Sequence, residues 1–399
     1  MSRAAGPQPA PDFASADFLR AHVDSILRFY EPVVVDPQGG FFHYLKDDGT
    51  VYERSHRHLV SATRWVFNAS MALEHTGRGV YRDWAEHGLA HLRRFVLPSG
   101  LSAWTLRDGA IEDATAMAYG QAFVLLAHAH AHRVGLSSRV DVASAFDGMN
   151  AAFFQPEFNA YADEISPDGL LASYRGQNAN MHMCEACLAA FGATGEARYL
   201  LRAQELIERF AFELADAAGG LVWEHYGEDW VIDWDYNRDS PGNIFKPWGF
   251  QTGHQTEWAK LLLIAHSHAP DLRYLARAEQ LHQAAMTHGW DAVHGGLIYG
   301  FGPDRKACDS DKYFWVQAES FASAWRLWCA TGNPLYRQQY DAIWTWSWQH
   351  LVDHVHGAWF RVVAADGAKL EDTKSPAGKV DYHTMGACWD VLSVAPAQG

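Results

Sequence analysis

The chain has 399 residues, of which 48% are hydrophobic and 20% are charged, a composition that excludes an intrinsically disordered protein. The 47 acidic residues outnumber the 32 basic ones, and the resulting net charge of −15 disfavours binding to nucleic acid or to an anionic membrane. The sequence shows neither an apolar run of membrane-spanning length nor a secretory signal, so we expect a cytoplasmic protein.

A short motif recurs along the chain. Small residues, an apolar and aromatic run and a polar turn follow one another in GGFFHYLKDDG from Gly39 and again in SGLSAWTLRDG from Ser99. The motif has six register residues, separated by 60, 60, 60, 76 and 61 positions: Gly40, Gly100, Ala160, Gly220, Gly296 and Gly357. Alternating apolar residues closed by a polar turn predict a short hairpin or extended arm in each of six units.

Two helical patterns lie between successive arms. The first is apolar almost all round, as in HLVSATRWVFNASMALEHTG, and the second has one charged face, as in YRDWAEHGLAHLRRFVL. This difference predicts a buried inner helix followed by an exposed outer helix. A Thr-Gly pair, ending at Gly77, Gly195 or Gly332, marks the break between them in three units, where glycine caps a helix.

Six such helix pairs can bury all their apolar faces only by closing into a ring, since an open row leaves apolar faces exposed to solvent at both ends. We therefore predict an all-α fold, an (α/α)6 barrel with short β-hairpins or arms at one mouth. An open helical solenoid is the alternative. The predicted domains are a flexible N-terminus of residues 1–12 and a single catalytic barrel domain of residues 13–395.

This topology places all six arms and the N-termini of all six inner helices at one mouth. The positive ends of the helix dipoles meet there and favour a negative charge that develops during a reaction. Polar or aromatic residues stand near the start of every inner helix: Arg64, Tyr119, His182, His254, Trp315 with Glu319, and His383. Arg64, His182 and Glu319 each precede the glycine of their Thr-Gly pair by 13 residues, which predicts the same depth in the ring.

Carboxylates and an amide accompany two of these histidines. Glu185 follows His182 by three residues, and Glu257 follows His254 by three, a spacing that lets a carboxylate hold an imidazole on one helix face. Asn178 lies one turn before His182. We take these side chains as further candidates for the site.

The step of 76 residues contains an insertion between Asp229 and His254. Its sequence is polar, aromatic and rich in Gly and Pro, which predicts a lid over the same mouth. Its polar residues are candidates for substrate contact, namely Asp233, Asp235, Arg238 and Lys246.

Histidines, an arginine and aromatic walls favour proton transfer next to a sugar carbonyl. The chain lacks a phosphate loop, a dinucleotide fingerprint and a nucleophile elbow. A neutral histidine can take the proton from carbon 2 of an open-chain aldose, while the arginine and helix dipoles stabilise the enediolate. Return of the proton to carbon 1 gives a ketose, and return to the opposite face of carbon 2 gives the epimer. Both outcomes use these residues.

Four segments resemble the N-acylglucosamine 2-epimerase superfamily of sugar epimerases and isomerases: TRWVFN around Arg64, NANMHMCE around His182, TGHQTEWAKLL around His254 and DYHTM around His383. The resemblance runs from about Phe13 to Leu392 and implies an (α/α)6 barrel. It is strongest for the branch that interconverts D-mannose and D-fructose without a metal. It implies a monosaccharide substrate, a cis-enediol(ate) intermediate and no cofactor, and we expect a monomer or homodimer.

The resemblance also implies roles for individual residues. His254 and His383 form the acid/base pair, with Glu257 supporting His254. His182 assists at the ring oxygen or hydroxyls, and Arg64 binds near O1 and O2. The remaining candidates line the pocket or contact substrate: Tyr119, Asn178, Trp315, Glu319 and Glu185.

Several other functions stay open at this point. The nearest alternative is a sugar 2-epimerase acting on mannose, N-acylglucosamine or cellobiose. A glycoside hydrolase or lyase on the same barrel needs paired carboxylates, for which Asp113, Asp235 and Glu319 are candidates. Two more alternatives remain. One is a non-catalytic ring that binds carbohydrate or another protein, and the other is a metal enzyme with histidine, Glu185 and Glu257 as ligands.

Overall fold

The computed structural model describes residues 11–394. Most of the predicted flexible N-terminus, and residue 395 at the predicted domain end, lie outside the described residues. Twelve helices occur in the described range: α1 (Ala16–Tyr30), α2 (Leu59–Thr76), α3 (Gly79–Leu92), α4 (Ala118–Arg133), α5 (Arg139–Phe153), α6 (Gln177–Thr194), α7 (Ala197–Ile207), α8 (Thr252–His268), α9 (Leu272–Gly289), α10 (Phe314–Thr331), α11 (Pro334–His350) and α12 (Tyr382–Ser393). A 3₁₀ turn at Arg93–Phe95 extends α3, and a π-helical stretch at Glu208–Leu214 and a turn at Ala215–Ala217 extend α7.

The even-numbered helices form the inner ring. Consecutive even-numbered helices pack against one another, and α12 packs against α2, so that the ring closes. This order puts α2 opposite α8 and α6 opposite α12. The odd-numbered helices lie outside and pack on their inner partners. The predicted (α/α)6 barrel is confirmed.

Closure of the ring depends on the first helix. The sixth unit contributes only the inner helix α12 at the C-terminal end of the described chain, and α1 packs against it as the outer partner. The Tyr30 hydroxyl donates a 2.5 Å hydrogen bond to Asp381, just before α12, and the Trp359 indole N–H donates to His22 at 2.8 Å. These hydrogen bonds join the N-terminal helix to the C-terminal part of the described chain.

Short strands connect the units at the mouth. The described strands are β1 (Tyr44–Lys46), β2 (Val51–Glu53), β3 (His56–His58), β4 (Thr105–Arg107), β5 (Ala110–Asp113), β6 (Ala116–Met117), β7 (Phe154–Gln155), β8 (Ala160–Tyr161), β9 (Glu164–Ile165), β10 (Arg175–Gly176), β11 (His225–Tyr226), β12 (Phe250–Gln251), β13 (Gly300–Phe301), β14 (Ala307–Asp309), β15 (Lys312–Tyr313), β16 (Val362–Val363) and β17 (Thr373–Ser375). Each strand that precedes an inner helix pairs antiparallel with a strand of the following arm: β3 with β4, β6 with β9, β10 with β11, β12 with β13, β15 with β16, and β17 with β1. The last pairing returns to the first arm and closes the circle.

Amide side chains fasten four arms to their inner helices. In each case one Gln or Asn accepts a hydrogen bond from a backbone N–H of the arm and donates to the carbonyl of the same residue. The pairs are Gln121 with Ser102, Asn180 with Tyr161, Gln255 with Val222, and Gln317 with Leu297. Because these amides lie beside the candidate site residues, the same bonds fix the arms and the first helical turns.

The inner helices are buried as predicted. Every residue of α2 from Leu59 to Ala72 is buried. Gly77, Gly195 and Gly332 cap their helices in the left-handed conformation, with φ of 67°, 74° and 68°. None of the helices between residues 11 and 394 combines the length and apolar character needed to cross a membrane.

Buried histidines make the fold sensitive to acid. Burial lowers the pKa of His22, His58 and His130 to about 3, because desolvation penalises the imidazolium. Below the unfolded value of about 6.5 the unfolded chain therefore binds more protons than the folded chain, and stability is lost as the pH falls. At pH 5 the expected loss is about 2 kcal/mol per histidine, from ~1.36 kcal/mol per pKa unit. Asp163, whose pKa burial raises to about 7, acts in the opposite direction.

The measurement is the melting temperature by circular dichroism in buffers from neutral pH to about pH 5. We expect the melting temperature to fall across this range. His22→Gln should make the fall less steep, whereas the exposed His356→Gln should not change it. A melting temperature that stays constant would contradict the assignment of these histidines as neutral in the folded state.

Candidate active site

A narrow cavity lies at the mouth, between the starts of the inner helices and the arms. Its wall contains seven residues predicted from the sequence: Tyr119, Asn178, His182, His254, Glu257, Trp315 and His383. Four further wall residues were not predicted: Ile244, Pro247, Tyr299 and Lys379.

A carboxylate from the fourth arm holds His254. The Nδ1 atom of His254 lies 2.8 Å from Oε1 of Glu224, which is only 2% exposed. Gln177 donates to the other carboxylate oxygen at 3.0 Å and accepts from the Trp258 indole at 2.8 Å. Glu257, whose spacing from His254 predicted this role, forms no hydrogen bond to a described residue, so Glu224 replaces it as the partner. Spacing along one helix did not reveal a partner that comes from an arm.

The other two histidines are held in the same way. Nδ1 of His182 lies 2.9 Å from Glu185, as the three-residue spacing predicted, and Glu185 also accepts from the Tyr382 hydroxyl at 2.6 Å. Nδ1 of His383 lies 2.7 Å from Glu319 of the neighbouring helix α10. Glu319 therefore lies behind a histidine and is absent from the cavity wall.

A carboxylate beside Nδ1 favours the same tautomer in all three imidazoles, and at His254 it competes with the Gln177 amide nitrogen, which lies 2.9 Å from the same Nδ1 atom. Because a carboxylate accepts the Nδ1 proton, the neutral ring keeps its lone pair on Nε2. Burial lowers the pKa of His182 to about 4 and that of His383 well below its usual value, with Arg64 and Lys379 adding to the effect at His383. Both rings are therefore neutral near pH 7 and can accept a proton on the cavity side.

Glu257 is a buried carboxyl group without a protein partner. Neither of its oxygens forms a hydrogen bond to any described residue, and Oε1 lies 3.8 Å from Nδ1 of His182. Burial, reinforced by the negative charge of Glu319, raises its pKa well above the usual value. Glu257 thus lines the cavity as a carboxyl group that holds its proton more strongly than usual and can donate a hydrogen bond when protonated.

Two further wall residues have unused polar atoms. The Asn178 side-chain oxygen and the Trp315 indole N–H are buried without a partner among residues 11–394. Leaving such a group unsatisfied costs roughly 1 to 3 kcal/mol, so these atoms favour a ligand that supplies both donors and acceptors. Hydroxyl groups do both.

Arg64 lies one layer behind the cavity. It is fully buried and does not belong to the wall. Its guanidinium donates to the Gly378 carbonyl and, at 3.2 Å, to the Tyr119 hydroxyl, and it packs between the rings of Phe123 and Tyr382. The ring order places α2 opposite α8, but the arginine contacts the wall rather than the cavity.

The insertion covers the mouth with apolar residues. Ile244 and Pro247 line the cavity, and Phe245 packs against His58 and Trp104, with ring centroids 5.7 Å apart in both cases. The predicted polar contacts, Asp233, Asp235, Arg238 and Lys246, are all absent from the cavity wall. Desolvating a charged side chain over a closed pocket is costly, whereas an apolar lid excludes water at no such cost.

Four polar side chains lie behind the wall of this cavity and are called the floor here. Glu185, Lys260, Glu319 and Tyr382 also line a second cavity that opens at the opposite end of the barrel. The Lys260 ammonium donates to Glu319 at 2.5 Å, and its positive charge opposes the rise that burial causes in the pKa of that carboxyl group. The floor thus separates the two cavities and supports two of the three imidazoles.

Comparison with known proteins agrees with this geometry. A family model described as N-acylglucosamine 2-epimerase matches residues 40–387. The chain belongs to the N-acylglucosamine 2-epimerase family. It is 48% identical to a D-mannose isomerase from Marinomonas mediterranea over 386 residues, which cover 96% of this chain and 98% of that protein.

Two further comparisons extend this result. A D-mannose isomerase from Thermobifida fusca is 33% identical over 340 residues, covering 78% of this chain and 79% of that protein. A crystal structure of D-mannose isomerase matches with a TM-score of 0.95 at 48% identity, over 96% of this chain and 100% of the other. The family membership predicted from the sequence is confirmed.

Two groups of side chains in this family member have the donor atoms of a metal site. Glu257 belongs to both, with His182 and Glu185 in one and with Glu319 and His383 in the other, and the ligand atoms of each group lie within 4.8 Å of one another. In both groups the imidazole Nδ1 is already bonded to a carboxylate. A metal ion would have to replace these bonds, and at Glu319 it would also compete with the Lys260 ammonium.

The ion pair in the floor gives a stability prediction. Lys260→Met leaves Glu319 charged, buried and without its cation, which should lower the free energy of unfolding by roughly 3 to 5 kcal/mol. Urea unfolding monitored by tryptophan fluorescence measures this loss. The matched control is Lys306→Met, because the side chain of Lys306 is 83% exposed. Equal stability of the two variants would show that the Lys260 pair does not support the floor.

Proposed function

We propose that this enzyme is an aldose–ketose isomerase that interconverts D-mannose and D-fructose through a cis-enediol(ate) intermediate. The observation that carries the proposal is the set of three carboxylate-held imidazoles around one closed cavity. The similarity to two D-mannose isomerases of 48% and 33% identity supports the choice of sugar.

The unpartnered wall groups support a polyhydroxylated substrate. Asn178 accepts a hydrogen bond from a sugar hydroxyl, the Trp315 indole donates one, and the Glu257 carboxyl group does either when protonated. The Trp315 ring also packs beside His254, with centroids 5.1 Å apart, which gives an aromatic wall next to a base.

Proton transfer follows from the favoured tautomers. In the open-chain aldose, Nε2 of one imidazole takes the proton from carbon 2, and the electron pair moves onto the carbonyl oxygen at carbon 1 to give the enediolate. The imidazolium is stabilised by the carboxylate at Nδ1. It then returns the proton to carbon 1, while a second acid/base group moves the hydroxyl proton from O2 to O1, and the product is the ketose. We assign His254 and His383 to these two tasks.

His182 and Glu257 are assigned to the steps before proton transfer. The cyclic sugar must gain a proton at its ring oxygen and lose one from O1 before the carbonyl appears. A neutral carboxyl group and a neutral imidazole near one another can perform this exchange, since one donates and the other accepts. The lid residues Ile244 and Pro247 then exclude water from the enediolate.

A sugar 2-epimerase is the second candidate function. Epimerisation needs a second base on the opposite face of carbon 2, and α8 and α12 are separated in the ring by α10, so His254 and His383 approach the cavity from different sides. A glycoside hydrolase is disfavoured, because Glu257 is the one carboxylate among the described wall residues, whereas hydrolysis needs a pair. Asp235 is exposed on the lid, and Asp113 is absent from the wall.

Incubation with D-mannose in deuterated water tests the proposal. We expect fructose as the main product, with any solvent deuterium at carbon 1, because the proton returns to that carbon. Nuclear magnetic resonance resolves the products and the position of the label. Glucose labelled at carbon 2 would favour the epimerase, and saturable binding with no product would favour a binding protein. Loss of activity on exhaustive chelation, restored by a divalent cation, would show a metal enzyme.

The corrected partner of His254 gives a second test. Glu224→Gln keeps the shape but removes the charge that holds Nδ1–H, so turnover on mannose should fall about 10²-fold, toward the value of His254→Ala. Glu228→Gln is the matched control, because Glu228 is exposed on the same arm. Steady-state kinetics and circular dichroism separate loss of activity from loss of fold. Wild-type turnover in Glu224→Gln would remove Glu224 from the site.

A further inference from the structure

The cavity needs a cation that Arg64 does not supply. An enediolate develops negative charge on the oxygen at carbon 1 or carbon 2, and a preorganised positive group near that oxygen lowers the barrier. Arg64 faces a backbone carbonyl and two aromatic rings, with Tyr119 between it and the cavity. The guanidinium therefore does not contact the cavity directly, and its positive charge acts there only at a distance.

The ammonium of Lys379 reaches the cavity itself. Lys379 lines the wall together with His383 and is only 8% exposed. Its Nζ lies 5.6 Å from the centre of the Trp315 ring, and no carboxylate between residues 11 and 394 forms an ion pair with it. A buried ammonium with no counterion is costly to keep, so it favours the arrival of a negative charge.

The turn that carries Lys379 is rigid. The preceding Gly378 donates its N–H to Ser61 at 2.9 Å and accepts from Arg64 at its carbonyl, so helix α2 holds this residue at two successive peptide units. The Lys379 N–H donates to the Pro376 carbonyl at 3.1 Å, and Ser375 donates to the His43 carbonyl at 2.6 Å. The arginine predicted to bind substrate therefore positions the lysine instead.

We propose that Lys379 is a catalytic residue whose ammonium binds the oxygen that becomes negative in the enediolate, and that the same place binds sugar acids. The inference rests on the proposed function and adds a residue and a ligand class to it. When the base takes the proton from carbon 2, the electron pair ends on O1, and the ammonium donates a hydrogen bond to that oxygen without losing its proton. No other bond at the lysine changes.

The electrostatics explain why this contact is stronger in the transition state than with bound sugar. Burial, together with Arg64 and Arg361, lowers the pKa of Lys379 to about 7, while Glu257 opposes this shift. A negative charge that develops beside the lysine therefore also favours its protonated form. A neutral sugar leaves the ammonium uncompensated, whereas the enediolate supplies the missing counterion. Binding energy gained only in the transition state raises turnover without tightening substrate binding.

Kinetics and ligand binding test the proposal together. Lys379→Met should lower kcat on mannose about 10²-fold, as for loss of one oxyanion donor, and should change KM little. By calorimetry, the affinity of the same variant for D-mannonate, a sugar acid, should fall at least tenfold, while its affinity for the neutral D-mannitol stays within about twofold. Lys379→Arg should recover part of both losses. Lys306→Met, on an exposed lysine, is the matched control.

Three results would overturn the proposal. Equal losses of mannonate and mannitol affinity would show a steric role, and unchanged kcat in Lys379→Met would exclude a catalytic one. Inactivation by borohydride that requires mannose and modifies Lys379 would show an imine instead. The binding measurements do not depend on the proposed function. If the wild type binds mannonate more tightly than mannitol, and this preference requires Lys379, the anion site is supported even when mannose is not isomerised. In that case the isomerase proposal alone fails.

Discussion

Each of the three imidazoles at the mouth depends on a carboxylate that holds its Nδ1 atom. Three different elements supply these carboxylates: Glu185 comes from the same helix as His182, Glu319 from the helix next to His383, and Glu224 from the arm before His254. The arrangement therefore depends together on closure of the ring, on the register of the inner helices and on the positions of the arms. A shift of one residue in any of them would leave a buried carboxylate without its hydrogen bond, which is far more costly than a surface rearrangement.

The architecture supplies this precision through repetition. Amide side chains on four inner helices bind the backbone of the arms, and antiparallel strand pairs join each unit to the next. The pairing of β17 with β1 and the packing of α1 on α12 make the circle complete. Because His383 lies near the C-terminal end of the described chain, its position depends on contacts such as that between Tyr30 and Asp381, which join distant parts of the sequence.

Periodicity and repeats were sufficient to predict the barrel, its mouth and most of the cavity wall. The 13-residue spacing correctly brought His182 and Glu319 to the same region, because repeat-equivalent positions lie at one depth. Pairs within one helix were predictable only in part, since Glu185 holds His182 while Glu257 does not hold His254. Partners from arms depend on loop paths that periodicity does not encode.

Some signals for the missed residues were nevertheless present. Glu224 stands in the fourth arm, GGLVWEHYGEDW, and every arm was expected at the mouth, so a carboxylate there was a candidate. Lys379 stands four residues before His383 and directly before the last inner helix. The apolar contacts of the lid had no such signal, because a polar, Gly-rich and Pro-rich segment gives no indication of which side faces the cavity.

The tautomers of the three imidazoles test this account most directly. Nitrogen-15 nuclear magnetic resonance of histidine-labelled protein near neutral pH, with signals assigned by single substitutions, reports which ring nitrogen carries the proton. The account predicts a protonated Nδ1 and a free Nε2 in His182, His254 and His383. A proton on Nε2 of His254 or His383 in the ligand-free enzyme would contradict it, because no lone pair would then face the sugar.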